Sequence, residues 1–159
     1  MKQPLLVRIV SSAVIVLALQ QGAFAADTPE PAAPDKLTQA RGLIKDKKWT
    51  EAIDELKRVN DPASADWNNL MGYSLRKART PDLAGAERHY NEALRIKPDH
   101  RGALEYSGEL YLMKGDLASA EKRLAMLDKA CLFGCEEYTD LKKAIERYKA
   151  AGNKYVGYQ

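Results

Sequence analysis

The sequence predicts an all-α protein, an α-solenoid of three helix pairs closed by a seventh, capping helix. The main observation is a repeat: Ala52, Ala86 and Ala120 are spaced 34 residues apart, and three further columns keep the same step. Pro and Gly residues separate the copies, and an amphipathic segment follows the last one. A period of 34 is typical of paired-helix repeats, whose apolar faces are buried only when neighbouring pairs stack. The further columns are Trp49/Leu83/Leu117, Leu56/Tyr90/Leu124 and Val59/Ala93/Leu127.

The helix bounds follow from periodicity and from residues that begin or end helices. The repeat domain is expected over residues 36–151, with units at about 36–64, 65–99 and 100–134. Within the units, helices are predicted at 36–46, 49–59 and 65–78, then from Pro81 to Lys97, and from 100 to Ala130 with a turn at Gly115-Asp116. Thr80 is the predicted N-cap of the fourth helix with Pro81 at its first position, and Asp99 is the predicted cap of the fifth.

The predicted capping helix covers residues 136–150. Tyr138, Leu141, Ile145 and Tyr148 are spaced so that they share one face of this helix. Such a helix would cover the exposed apolar face of the last repeat, as solenoids require. Residues 152–159 show no periodicity, and we expect a loose tail or one that packs weakly on the capping helix.

Residues 1–25 have the pattern of a secretory signal peptide. Lys2 and Arg8 precede an apolar run over residues 9–19, and Ala23-Phe24-Ala25 matches a small-x-small cleavage site. A membrane anchor is the alternative, but a run of 11 residues is short for a bilayer span, which needs about 20. We therefore expect export without stable membrane insertion, to the periplasm if the source is a Gram-negative bacterium. Residues 26–35 contain three prolines and predict a disordered linker.

Composition is that of a single soluble helical domain. The chain has 159 residues, of which 45% are hydrophobic and 30% charged. Its net charge of +3 falls to +1 once Lys2 and Arg8 are removed. Near-neutrality argues against nucleic acid as a partner, because that needs concentrated basic charge.

The repeat positions resemble the tetratricopeptide repeat family over about residues 35–130. The family pattern places small residues where helices approach closely and an aromatic residue in the second helix. The first unit is the weakest match, with Ala40 in place of Gly, and the middle unit has about two extra residues near Arg79–Pro81. Leu132 stands where the third unit would have Pro. The matching residues of the middle and third units are Gly72, Leu83, Ala86, Tyr90, Ala93 and Pro98, and Gly108, Tyr111, Gly115, Leu117, Ala120 and Leu124.

The resemblance implies a binding groove rather than an active site. In this family the first helix of each pair lines a concave surface that often holds an extended peptide. The groove would be basic on units one and two and acidic on unit three, and would hold a protein or peptide through an acidic segment or a free carboxylate. We expect Arg76 and Lys77 to be exposed, and the alternative is that the tyrosines simply pack in the core while the charges are solvated. The candidate groove residues are Arg41, Lys45, Asn69, Tyr73, Arg76, Lys77, Glu105 and Glu109, with Tyr106 beside them.

Cys131 and Cys135 are the only cysteines. In an exported protein we expect a structural disulfide that joins the last repeat to the capping helix. Free buried thiols are one alternative and a redox-active pair is another, although the spacing is C-x-x-x-C rather than C-x-x-C.

No arrangement of residues in the sequence is typical of an enzyme, a metal site or a cofactor site. There is no Gly-rich phosphate loop and no nucleophile elbow. His89 and His100 are expected to be solvated surface residues. The predicted function is a non-enzymatic adaptor, with a thiol-dependent envelope factor or a self-associating assembly factor as alternatives.

Overall fold

The computed structural model describes residues 35–157. The predicted signal peptide, all of the predicted linker except Asp35, and Tyr158 and Gln159 lie outside the described residues. The described part is all-helical, without a strand, so the predicted all-α class is confirmed. The seven helices are α1 (Thr38–Lys45), α2 (Trp49–Val59), α3 (Ala65–Lys77), α4 (Leu83–Ile96), α5 (Arg101–Met113), α6 (Leu117–Ala130) and α7 (Glu136–Ala150).

Two predicted helix caps are wrong. Helix α4 begins at Leu83, two residues later than predicted, because the Asp82 carboxylate accepts the Gly85 N–H at 2.8 Å and so caps the helix in place of Thr80. Helix α5 is capped by His100 rather than Asp99, since the His100 ring Nδ1 accepts the Ala103 N–H at 3.1 Å. In both cases the residue directly before the first helical residue is the cap, and its side chain accepts a free N–H of the first turn.

Helix contacts follow a regular pattern. Each helix packs on the next, and the odd-numbered helices also contact one another in sequence: α1 with α3, α3 with α5, and α5 with α7. The turns between α1 and α2, α3 and α4, and α5 and α6 are short, which favours antiparallel pairs.

Two glycines let helices approach closely. A Cβ on Gly72 would lie 2.8 Å from the Tyr90 ring and 3.1 Å from the Ala86 carbonyl oxygen, so α3 lies directly on α4 at this point. A Cβ on Gly108 would lie 2.5 Å from the Leu141 side chain, so α5 lies directly on α7.

The predicted seventh helix is present, and its apolar face packs on the fifth and sixth helices. Leu141, Ile145 and Tyr148 are buried in the same core cluster as residues of α5 and α6. Cys131 and Cys135 are joined by a disulfide with their Cα atoms 5.7 Å apart, at the junction of α6 and α7. Within residues 35–157, none of the helices combines the length and the apolar character that a membrane span needs.

Candidate functional site: the face between α3 and α5

An aromatic and charged cluster joins α3 to α5. The Tyr73 and Tyr106 rings lie 4.5 Å apart between centroids, and Trp49 of α2 meets Tyr73 edge-on at 5.8 Å. The Arg76 guanidinium lies 5.4 Å from the Tyr73 ring and 5.7 Å from the Tyr106 ring, within the range of cation–π attraction. We call the surface formed by Asn69, Tyr73, Arg76, Tyr106 and Glu109 the α3–α5 face.

A buried ion pair forms the inner end of this face. Arg76 Nη1 lies 2.7 Å from Glu109 Oε2, and the two side chains are 2% and 11% exposed. Burial alone would lower the pKa of Arg76, but the nearby Tyr90 hydroxyl and the Glu109 carboxylate raise it overall, so the guanidinium stays charged. The Arg76 charge is therefore already neutralised by Glu109 and offers little free attraction to a second carboxylate.

Asn69 contributes an unsatisfied acceptor. The residue is 8% exposed, and its Oδ1 has no hydrogen-bond partner among the described residues. Its side chain lies against Gly102 of α5, where a Cβ would be only 3.0 Å from the amide nitrogen. A buried acceptor without a partner is costly, and a ligand N–H is the kind of group that would satisfy it.

Carboxylates collect beside the face, towards α7. Glu105, Glu137 and Asp140 line one recess of about 200 Å³ together with Tyr106 and Glu136. Burial raises the pKa of Glu105 to about 8, and the negative charges of Glu109, Asp140 and Glu137 add to this rise. The acidic side predicted for unit three is thus extended by carboxylates of α7 that were not among the candidates.

A polar bridge links the starts of α3 and α5. His100 Nε2 lies 2.9 Å from Asp66 Oδ1, and Arg41 of α1 donates to Asp66 Oδ2 at 3.0 Å. Partial burial would raise the pKa of Asp66, but its hydrogen bond with His100 and the charge of Arg41 lower it overall. Asp66 lies in the first turn of α3 and His100 is the N-cap of α5, so the bridge joins the starts of these two helices.

The candidate residues are placed as follows. Asn69, Tyr73, Arg76 and Glu109 come together on the α3–α5 face, and Glu105 lies at its edge. The expectation that Arg76 is exposed is wrong, because the side chain is buried on Glu109, whereas Lys77 is half-buried as the next residue along. Arg41 and Lys45 are exposed on α1, and Arg41 is paired with acidic residues rather than free.

The expectation that both histidines are solvated is also wrong. His100 is 8% exposed because it caps α5 and bonds to Asp66. His89 is half-buried: its Nδ1 lies 3.0 Å from Asn68 Oδ1, and the ring meets Trp67 edge-on at 5.5 Å. For His100, the missed signal was that the predicted first helices begin at about 65 and 100, which places Asp66 and His100 at the starts of neighbouring helices.

The disulfide closes a loop that presents two apolar side chains to solvent. Leu132 is 84% exposed and Phe133 is fully exposed, while Cys131 is buried. Cys135 is the N-cap residue of α7. The bond between Cys131 and Cys135 agrees with the expected disulfide at the junction of α6 and α7.

No protein-family model matches this chain. No curated protein matches it either. Within residues 35–157, no group of three or more His, Cys, Asp or Glu side chains is arranged to hold a metal ion.

Proposed function

We propose that the chain is a non-enzymatic adaptor of tetratricopeptide-repeat type, whose helix pairs stack as an α-solenoid and whose concave groove binds an extended peptide of a partner protein. The α3–α5 face is the centre of that groove. Successive contacts between α1, α3, α5 and α7 support the stacking, since the first helix of each pair meets the first helix of the next. The bridge between Asp66 and His100 supports it too, since it joins the starts of α3 and α5.

One observation carries the binding proposal: the unpartnered, buried Oδ1 of Asn69 on the α3–α5 face. An extended peptide presents backbone N–H groups at regular intervals, and one of them would satisfy this oxygen once the Asn69 side chain rotates, because the oxygen itself has almost no solvent-accessible surface. Tyr73 and Tyr106 offer rigid aromatic surface beside it, which is the type of residue that dominates binding energy in interfaces. An acidic segment or free carboxylate of the peptide would be held by Lys77 and Lys45 rather than by Arg76, whose charge is neutralised by Glu109.

The test uses Asn69→Leu, which keeps the branched shape of the side chain and replaces the amide oxygen and nitrogen with methyl groups. The unpartnered oxygen contributes no hydrogen bond in the free protein, so the variant should fold with unchanged or slightly higher stability. The chain from Ala26, which holds every described helix, is used as bait for affinity capture from envelope extract. Asn91→Leu is the matched control, because Asn91 is exposed and lies on α4, outside the face.

The groove is supported if the natural chain and Asn91→Leu retain a partner whose binding to Asn69→Leu is about tenfold or more weaker. The reason is that a lost hydrogen bond that leaves a ligand N–H unpaired costs about 1–3 kcal/mol. Equal retention of a partner by all three chains would show that the partner does not bind at the α3–α5 face. If none of the three retains a partner, the adaptor proposal fails for that extract.

A thiol-dependent envelope factor is the second candidate. It is favoured by the position of Cys135 at the N-terminus of α7, where a thiolate is stabilised, beside an exposed loop. Replacing both cysteines with alanine separates the two proposals: loss of function with unchanged thermal stability would favour the thiol role, and retained partner capture would favour the adaptor.

We place the protein in the cell envelope on the basis of residues 1–25. Sequencing the N-terminus of the protein purified from cells tests this proposal. A mature chain that begins at Ala26 is expected, and an intact Met1 would contradict export with cleavage.

A further inference from the structure

The end of α7 turns the chain back on itself. The Gly152 N–H donates to the Lys149 carbonyl at 3.1 Å, and the Asn153 N–H donates to the Tyr148 carbonyl at 3.0 Å. Gly152 and Asn153 both have left-handed φ angles, of 66° and 61°. This is the hydrogen-bond pattern of a Schellman motif, in which glycine takes the left-handed position without steric cost. The direction of the C-terminal segment (residues 152–157) is therefore set by a defined helix end.

The C-terminal segment reaches the end of the α3–α5 face. Tyr155 and Gly157 line a cavity of about 210 Å³ together with residues from the end of α3, the loop after it and the end of α5. The remaining residues of this cavity are Arg76, Lys77, Ala78, Pro81 and Met113. Val156, between the two, is 55% exposed, against 37% for Tyr155. Tyr155 is thus the less exposed of these two side chains.

The chemistry of the cavity suits a phenol. Arg76 already packs against two tyrosine rings, and its Nε has no hydrogen-bond partner of good geometry among the described residues. Burial raises the pKa of Tyr155, the Glu109 charge adds to the rise, and the Arg76 charge opposes it. The two charges act on the Tyr155 hydroxyl because Tyr155 shares this cavity with Arg76, one member of the buried ion pair. A tyrosine ring offers Arg76 a further aromatic surface, and its hydroxyl offers an acceptor.

We infer that the recess beside Arg76 is a subsite for a tyrosine side chain of an extended segment, and that the chain's own Tyr155 occupies one side of it in the free protein. The partner-side part of this inference rests on the proposed function, and the part that concerns the chain's own segment does not. The C-terminal segment is then a built-in competitor that a partner displaces. The partner class is narrowed to proteins with a tyrosine in an extended segment.

Occupancy within the chain is tested first, by NMR of the chain from Ala26. Tyr155→Ala should shift the Arg76 Nε–H and Met113 methyl resonances, because it empties the recess. Val156→Ala is the matched control on the same segment, since Val156 points to solvent, and it should leave both resonances in place. Unmoved resonances in Tyr155→Ala would overturn the inference.

Binding between molecules is tested with a synthetic peptide of residues 152–157, in which Tyr155 is the only tyrosine. Because a tethered segment competes at an effective concentration in the millimolar range, the peptide should bind the Tyr155→Ala chain about tenfold more tightly than the natural chain. The Val156→Ala chain should behave as the natural one does. A peptide with alanine at the Tyr155 position should not bind, and equal binding of both peptides would overturn the tyrosine subsite.

The two proposals fail separately. If partner capture depends on Asn69 but is unaffected by Tyr155→Ala, the adaptor stands and the competitor role is wrong. If the peptide fills the recess but no partner is captured by any chain, the tyrosine subsite stands and the proposed function is wrong. Increased capture by Tyr155→Ala supports both.

Discussion

Replacing Gly72 with alanine tests the packing that holds the α3–α5 face in place. The new Cβ would lie 2.8 and 2.9 Å from two atoms of the Tyr90 ring and 3.1 Å from the Ala86 carbonyl oxygen. Tyr90 is fully buried, and the Ala86 carbonyl belongs to helix α4, so neither can retreat without moving other groups. Overpacking of this kind costs about 1–3 kcal/mol, while the higher helix propensity of alanine returns about 1 kcal/mol. We therefore expect Gly72→Ala to lower the free energy of unfolding by up to about 2 kcal/mol.

Gly42 is a matched control for this prediction. It lies in helix α1, and a Cβ there would meet nothing within 4 Å, so Gly42→Ala should gain up to about 1 kcal/mol from propensity alone. Urea unfolding of both variants isolates the packing cost as the difference between them, about 1–3 kcal/mol, provided that the slope with urea is unchanged. Equal changes in the two variants would refute close contact between α3 and α4 at Gly72.

Two further predictions concern the disulfide and the acidic recess. The double variant Cys131→Ala/Cys135→Ala should lose at most about 2 kcal/mol of its free energy of unfolding, since the closed loop is short. Thermal unfolding measures this loss, and a reducing agent should have no effect on the variant. A loss above about 4 kcal/mol would show that the disulfide has a larger role. Glu105 keeps its proton in the folded chain up to about pH 8 but loses it near pH 4.5 in the unfolded chain. The free energy of unfolding therefore falls as pH rises between these values, by up to about 1.4 kcal/mol per pH unit. Glu105→Gln should flatten that slope in urea unfolding at pH 5, 7 and 9; the exposed Glu146→Gln should not, and an unchanged slope in Glu105→Gln would contradict the raised pKa.

The sequence predicted the helices well because their signals are local and repeated. A step of 34 residues relates Ala52 to Ala86 and Ala86 to Ala120, and all three alanines are fully buried. The capping helix was predicted within a residue at each end, since an amphipathic period and the flanking Cys135 and Gly152 mark its limits. The caps of α4 and α5 were missed because several polar residues stood side by side, and only the hydrogen-bond geometry chooses between them.

The candidate site was predicted in part, for a different physical reason. Placing Asn69, Tyr73 and Arg76 on one face needs only the helical period. Whether a side chain on that face is exposed depends on what the next helix presents, and Glu109 lies 33 positions away in the chain. Charge patterning in the sequence therefore indicated a basic surface where the folded chain has a neutralised pair.

The burial of Arg76 changes which variants can report on binding. Reversing its charge would leave Glu109 facing a second carboxylate in a buried site, and breaking a buried pair costs about 3–5 kcal/mol. Lost partner capture by Arg76→Glu would thus reflect a damaged fold as readily as a damaged groove. Asn69 and Tyr155 are better probes, because the Oδ1 of Asn69 makes no hydrogen bond within residues 35–157 and Tyr155 lies on the C-terminal segment rather than in the core. If the proposed groove binds a partner, we expect recognition through groups that the folded chain leaves unsatisfied or only loosely covered, because those groups are the ones whose loss the fold tolerates.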